Sequence, residues 1–149
     1  MSHVVTDTLE IRDLAALRAA VARLGLAWSE GQQSYQWFGR LMGDTPADRS
    51  IPWGRCDHVI RLRPDDPDRA TYGDGAYEIG VCRLDSGAYA LRYDYWGPGA
   101  WIRSRLGPDL GRLRQEYGAA LAERKIRALG YQVRRTARNG KIVLEGVRA

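Results

Sequence analysis

The sequence WGRCDHVIRLRP, residues 53–64, places an aspartate between a cysteine and a histidine, at Cys56, Asp57 and His58. These residue types supply nucleophiles, general bases and metal ligands. The residues that follow have the composition of a β-strand, in which Cys56 and His58 would point to one face and Asp57 to the other. Neighbours two positions apart on a strand stand about 7 Å from each other, too far for the hydrogen bond that activates a nucleophile. We therefore favour a structural role for Cys56 and His58, at the margin of a core.

A metal centre is the second kind of site that these residues suggest. A zinc site would need every cysteine and histidine of the chain to converge, and none of them forms a C-x-x-C or H-x-x-H chelate. These residues are His3, Cys56, His58 and Cys82. A magnesium site would need carboxylates from neighbouring strands, for which the candidates are Asp57, Glu78 and Asp94. Such carboxylates more often lie on a solvated face or pair with arginine, so we expect neither metal.

The sequence lacks the motifs of common cofactor and nucleotide chemistry. It contains no G-x-x-x-x-G-K-[ST] loop, no G-x-G-x-x-G turn and no G-x-S-x-G elbow. The sequence therefore has no motif that indicates nucleotide hydrolysis, dinucleotide binding or the usual hydrolase nucleophile. We expect no cofactor and a protein that is not an enzyme, with a metal-dependent enzyme built on the middle strands as the alternative.

Length and composition predict one domain, 1–149. A chain of 149 residues buries roughly 68–70% of its unfolded surface, which suffices without disulfides or metal. No run of 18 or more apolar residues occurs, and the first residues lack the basic and apolar regions of a signal peptide. We therefore expect a cytoplasmic protein with no membrane partner. Its two cysteines are too few for a disulfide framework, and we expect both to be reduced.

The net charge of +5 is concentrated in the last third of the chain. Residues 1–100 carry 11 basic and 14 acidic side chains, whereas residues 101–149 carry 12 basic and 4 acidic ones. A basic patch there would contact phosphates, because arginine donates bidentately to them. The alternative is a solvated face that Glu123 and Glu145 partly neutralise. The candidate nucleic-acid contacts are Arg124, Arg127, Arg134, Arg138 and Lys141.

Local signals predict a helix followed by a strand near each end of the chain. Asp13 is placed to cap the first helix and Gly25 to end it, and Gly130 ends the second helix. Three further strands, DHVIRLR, AYEIGVCRL and AYALRYDYW, lie between these units. Each helix has a single apolar stripe and so needs one sheet face. We predict a single α+β domain with a mostly antiparallel sheet of about six strands, in the order βαβ, βββ, αββ, and two helices packed on one face.

The last two strands form the hairpin with the clearest local signal. Asn139 and Gly140 stand at its turn, and this dipeptide is typical of the type I′ turn, whose central residues both need a positive φ. A two-residue loop pairs Arg138 with Lys141, which places Arg135 on the apolar face of the hairpin. That register gives no reason for an arginine on this face.

Several segments resemble the uncharacterised family typified by the hypothetical chloroplast reading frame thirty-five of algae and cyanobacteria. They are the start MSHVVTDTLEIRDLAALRAAVARLGL, the central CDHVI, YEIGV and YDYW, and the end YGAALAERKIRALGYQVRRTARNGKIVLEGV. The resemblance covers most of the chain, except residues 43–52, 64–75 and 97–109. The family-like positions, whose role it leaves open, are Cys56, Asp57, His58, Tyr77, Glu78, Gly80, Asp94 and Trp96.

What the resemblance implies is an accessory role. Members of that family look like small proteins of bacteria and phages that accompany AAA-type ATPases or mobile-element and conflict systems. The resemblance therefore favours a non-catalytic adaptor or regulator that binds a protein partner. The alternative is a nucleic-acid-binding protein that uses the basic C-terminal helix and hairpin.

Overall fold

The computed structural model describes residues 5–37, 40–42 and 55–148, and at 5–9 and 40–42 it describes the backbone alone. His3, invoked above for a zinc site, lies outside the described residues.

The described residues form nine strands and four α-helices. The strands are β1 (Val5–Ile11), β2 (Leu26–Ser29), β3 (Tyr35–Trp37), β4 (Arg40–Met42), β5 (His58–Leu62), β6 (Ile79–Arg83), β7 (Tyr89–Tyr93), β8 (Gln132–Arg138) and β9 (Lys141–Val147). The helices are α1 (Leu14–Arg23), the single turn α2 (Arg69–Tyr72), α3 (Ala100–Leu106) and α4 (Gly111–Ala128).

The predicted α+β class is confirmed. Five strands form an antiparallel sheet in the order β1-β7-β6-β5-β2, and two separate hairpins, β3-β4 and β8-β9, form sheets of their own. The sequence placed about six strands in one sheet, whereas the C-terminal hairpin stands apart from the central sheet. Three residues separate α4 from β8, and Gly130 among them has a φ of 89°. This turn folds the hairpin back against α4.

The main core lies between the central sheet and the longer helices. Buried side chains of α1, α3 and α4, such as Leu17, Trp101 and Leu113, pack with Ile60 and Ile79 of the sheet. The sequence predicted α1 and α4, and α3 is a third helix that contributes to the same core. The predicted cap of α1 is confirmed.

The opposite face of the sheet carries a second, smaller cluster. Tyr35 and Trp37 of β3 pack there with Val59 of β5 and Cys82 of β6. Val59 and Cys82 alternate along their strands with Ile60 and Val81, which face the helices, as the pleat of a strand requires. The β3-β4 hairpin therefore lies on the sheet face away from the helices.

The predicted register of the C-terminal hairpin is confirmed. Arg138 pairs with Lys141, and Asn139 and Gly140 have φ values of 52° and 72° at the turn. Arg135 does lie on the face that packs against α4, and its guanidinium binds acidic side chains of that helix. Its Nη2 lies 2.6 Å from both carboxylate oxygens of Glu116, and its Nη1 lies 3.4 Å from Oε1 of Glu123.

No helix in the described part of the chain is both long enough and apolar enough to span a membrane.

Candidate functional site

His58 fastens the loop after β2 to the beginning of β5. Its Nδ1 accepts a hydrogen bond of 3.0 Å from the backbone N–H of Gly31, and the same nitrogen lies 3.7 Å from a carboxylate oxygen of Glu30. The indole of Trp28 stacks on the imidazole with ring centroids 5.2 Å apart. Because Nδ1 is an acceptor, the neutral ring carries its proton on Nε2. These contacts are those of a residue that joins two segments of the fold.

The predicted alternation through Cys56, Asp57 and His58 is wrong. Strand β5 begins only at His58, and the chain bends at Asp57, whose carboxylate accepts the backbone N–H of Arg83 at 2.7 Å. The bend separates the other two side chains. Cys56 lies above Gly80 on the sheet face away from the helices, whereas His58 packs beside residues of the helix face. The structure therefore does not bring the cysteine and the histidine together.

Both cysteines are free, buried thiols. Burial raises the pKa of Cys82 to about 11, although the nearby guanidinium of Arg92 opposes the shift. Burial, together with the neighbouring Cys82, also raises the pKa of Cys56 far above its usual range. Each sulfur donates to a backbone carbonyl, Cys56 to Gln32 at 3.2 Å and Cys82 to Arg55 at 3.4 Å. Both thiols stay protonated at neutral pH and are poor nucleophiles.

The carboxylates proposed for magnesium serve separate hydrogen bonds. Oε1 of Glu78 accepts from the backbone N–H of Gln36 at 2.8 Å and from the amide of Gln32 at 3.1 Å. Oδ2 of Asp94 accepts from the indole N–H of Trp37 at 2.9 Å. Within the residues that the structure describes, no three Asp, Glu, His or Cys side chains are grouped so as to hold a metal ion.

Gly80 is a packing position under the β3-β4 hairpin. A Cβ atom added there would lie 2.9 Å from Cδ1 of Tyr35 and 3.2 Å from Cβ of Cys56. Because carbon atoms do not approach so closely, the ring of Tyr35 rests on the strand only where the side chain is absent. The glycine therefore allows the hairpin to close on the sheet.

The loop after β7 is held by hydrogen bonds that fix the position of Trp96. Oδ1 of Asp94 accepts from the backbone N–H of Trp96, and the carbonyl of Trp96 accepts from the N–H of Gly99, both at 2.9 Å. A side chain on Gly99 would collide with the carbonyl oxygen of Asp94. The N–H of Tyr77 donates to the carbonyl of Pro98 at 3.1 Å and so connects this loop to the segment just before β6.

Trp96 itself projects from this loop, with 56% of its surface exposed. Its ring stacks on Tyr95 at a centroid distance of 6.1 Å and an interplanar angle of 27°. The guanidinium carbon of Arg103, on α3, lies 5.4 Å from the centroid of the Tyr95 ring. Ala100 and Ser104 complete the lining of a shallow cleft of about 390 Å³ at this point. We call Tyr95, Trp96 and Arg103 the Trp96 patch.

The predicted basic patch is partly neutralised. Three of its five arginine and lysine residues form ion pairs, at 3.3 Å with Asp13, at 3.6 Å with Glu123 and at 3.7 Å with Glu145. They are Arg124, Arg127 and Arg134. Arg138 and Lys141 stand opposite each other at the exposed tip of the hairpin. The structure therefore places the helix residues in a mixed-charge surface and leaves a small basic tip.

No family model matches this chain, and no curated protein or solved structure matches it significantly. The family resemblance described above therefore stays a prediction.

Sequence reasoning singled out Trp96 but missed Arg103, its neighbour in the patch. The signal available was the aromatic pair Tyr95-Trp96 before the turn sequence GPG, with an arginine seven residues later. Only the position of α3 shows that this arginine returns to the aromatic rings.

Proposed function

We propose that this protein is a non-catalytic accessory protein that binds a protein partner through the Trp96 patch. The observation that carries the proposal is the exposed indole of Trp96 in a loop whose backbone N–H, at Trp96, donates a hydrogen bond to the carboxylate of Asp94. Tryptophan, tyrosine and arginine are the residue types that most often dominate the binding free energy of protein interfaces. The patch combines all three in one preorganised surface.

Burial of the exposed Trp96 ring by a partner would contribute substantially to the binding free energy. Covering roughly 100 Å² of aromatic surface at about 25 cal/mol per Å² stabilises a complex by about 2.5 kcal/mol. The stacking on Tyr95 restricts the indole before binding, so less conformational entropy is lost when a partner covers it. A single anchor of this kind accounts for a large share of the binding free energy of a transient interface.

The charge of the patch indicates the chemistry of the partner. The guanidinium of Arg103 lies over the ring of Tyr95 and retains its positive charge at the exposed surface. We expect a partner segment with an apolar side chain against Trp96 and an acidic residue beside it, facing Arg103. From the family resemblance, an AAA-type ATPase or a component of a conflict system is the kind of partner to seek.

The test is capture of the partner from nuclease-treated native lysate. Wild type is compared with Trp96→Ala and with Tyr131→Ala, a matched control that removes another exposed aromatic side chain, beside the C-terminal hairpin. We expect wild type and Tyr131→Ala to retain the same protein and Trp96→Ala to lose it. Equal capture by Trp96→Ala, with all variants folded by circular dichroism, would refute the proposed surface.

A second candidate function, nucleic-acid binding, rests on the basic tip of the C-terminal hairpin. Arg138 and Lys141 are exposed there, and Arg134 lies on the same face, paired with Glu145 across the strands. A few phosphate contacts of this kind give weak, salt-sensitive binding without sequence preference.

This candidate is tested by a salt series with a fluorescent DNA or RNA oligomer. Exchanging Arg134, Arg138 and Lys141 for alanine should weaken binding and flatten its dependence on salt. The matched control replaces three other arginines with alanine and so removes the same charge. They are Arg12, Arg18 and Arg63, exposed residues that pair with acidic neighbours elsewhere. We expect micromolar or weaker binding that salt abolishes, and tight binding that persists at about 200 mM salt would favour this function over the adaptor.

A further inference from the structure

Arg61 lies in a cleft at the end of β5, and its side-chain Nε has no hydrogen-bond partner among the described residues. Its neighbours in the strand, Ile60 and Leu62, point into the helix core, so Arg61 points to the opposite face of the sheet. Its Nε is shielded from solvent, and no described residue accepts a hydrogen bond from it. A guanidinium is charged at every physiological pH, so this donor cannot be neutralised by loss of a proton.

An unpaired donor that is hidden from water is unfavourable, and most such groups in folded proteins have a partner. In a core it would be a defect, but here the side chain that carries this donor lines an open cleft of about 480 Å³. That volume falls within the range of small-molecule sites. The position therefore suits an acceptor that comes from outside the chain.

The other residues of the cleft restrict what that acceptor is. Arg69 gives its guanidinium to the backbone carbonyls of Leu62, Arg63 and Gly73, so it forms a fixed wall of the cleft. Glu78 and Asp74 also line the cleft, and Glu78 is buried. Their negative charges disfavour a ligand with two negative charges near Arg61.

The amide nitrogen of Gln32 already donates to the carbonyl of Ser34 and to Oε1 of Glu78, so Gln32 offers the cleft only its oxygen. Gln36 provides a neutral donor and acceptor, and Pro64 and Ala76 provide apolar surface. The cleft therefore combines the Arg61 side chain, whose Nε no described residue binds, with the charged side chains of Arg69, Asp74 and Glu78 and with polar and apolar walls. This combination fits an organic anion of low charge better than a bare inorganic ion.

We propose that this cleft binds a small molecule through a carboxylate group. The two carboxylate oxygens bind two N–H groups of the Arg61 guanidinium side by side, since a planar carboxylate matches a planar edge of a guanidinium. The remainder of the ligand lies along Gln36 and Ala76. The site is separate from the Trp96 patch, and it requires no catalytic step.

The first test observes the Arg61 Nε–H group directly in the wild-type protein. Its ¹H–¹⁵N resonance is assigned by its loss from the spectrum of Arg61→Met. Acetate, pyruvate and benzoate are titrated at constant ionic strength, with chloride and inorganic phosphate as comparison anions. We expect a saturable shift of this resonance with the carboxylates, a smaller one with phosphate and none with chloride.

The second test uses variants with matched chemistry. Arg61→Met should lower carboxylate affinity roughly tenfold or more, because it removes a charge-assisted pair of hydrogen bonds. Its melting temperature should equal or exceed that of wild type, since the variant also removes an unpaired donor. Arg61→Lys should bind more weakly than wild type because it keeps the charge but loses the planar edge. Arg63→Met, two residues along and exposed, should bind as wild type does.

Three results would overturn the proposal. They are an Arg61 resonance that no carboxylate shifts, equal affinity for phosphate and carboxylates, and equal loss of affinity in Arg61→Met and Arg63→Met. A melting temperature that falls in Arg61→Met would assign the arginine to the fold instead. Because Trp96→Ala leaves the cleft intact, it should bind carboxylates normally, and failure of the adaptor proposal leaves this one standing.

Discussion

Replacing Arg135 with methionine should loosen the C-terminal hairpin from helix α4. The side chains of Arg135, Glu116 and Glu123 are only 21%, 16% and 10% exposed, and the arginine bonds both oxygens of Glu116 at 2.6 Å. Removing one partner of a fully buried pair costs about 3–5 kcal/mol, whereas an exposed pair contributes at most about 1 kcal/mol. Because the side chains of this cluster stay partly exposed to solvent, we expect the free energy that attaches the hairpin to α4 to fall by about 2 kcal/mol.

Hydrogen exchange followed by mass spectrometry measures this loss where it occurs. A loss of about 2 kcal/mol accelerates exchange of the β8 and β9 amides by about thirtyfold, if the hairpin opens without global unfolding. The matched control is Arg134→Met, which removes the next arginine along the strand. Arg134 and its partner Glu145 are each 63% exposed and 3.7 Å apart, so this change should alter stability by less than about 0.5 kcal/mol. Equal acceleration in both variants would refute the assignment of Arg135 as the anchor.

Three further predictions concern other parts of the fold. Gly140→Val should destabilise the hairpin by about 1 kcal/mol or more, because φ is +72° there, and an unchanged melting temperature would contradict the turn assignment. Burial alone would raise the pKa of Asp66, but the hydrogen bonds from Arg105 and from the backbone lower it overall. The Asp66–Arg105 pair therefore stabilises the fold at neutral pH, and this contribution disappears as acid protonates the carboxyl. Asp66→Asn should therefore lower the free energy of unfolding, measured by urea denaturation, by about 1 to 2 kcal/mol at neutral pH and by much less near pH 3. A difference in stability between wild type and variant that stays the same in acid would contradict the ion pair. Cys56 and Cys82 should react with Ellman's reagent only after denaturation, and prompt reaction of either native thiol would contradict their burial.

Features decided by adjacent residues were predictable from the sequence. The capping of α1 by Asp13 needs only the next three residues, and its Oδ1 accepts the N–H of Ala16 at 3.0 Å. The turn at Asn139 and Gly140 likewise fixes the register of its hairpin. In both cases the interactions that select the conformation are made between residues that are close together in the sequence.

Features decided by distant residues were not predictable. Arg135 had no explanation in its own strand, because its partner Glu116 lies 19 residues earlier in the chain. The orientation of Cys56 depends on a bend at Asp57, which an alternating pattern cannot reveal. That Nε of Arg61 has no acceptor among the described residues likewise depends on which groups the rest of the fold brings near it, and only the assembled sheet shows this.

The central claim, that a protein partner docks on the Trp96 patch, is tested most directly by photo-crosslinking. A benzoylphenylalanine at position 104, replacing the exposed Ser104 that lines the cleft beside Trp96, places the probe next to the proposed interface. The control position is Ser86, which is exposed in the turn before β7 and so lies at the opposite end of that strand from Trp96. We predict a covalent protein adduct from nuclease-treated lysate at position 104, its loss when Trp96→Ala is added, and none at position 86. Equal adducts at both positions, or an adduct at 104 that survives Trp96→Ala, would contradict the account.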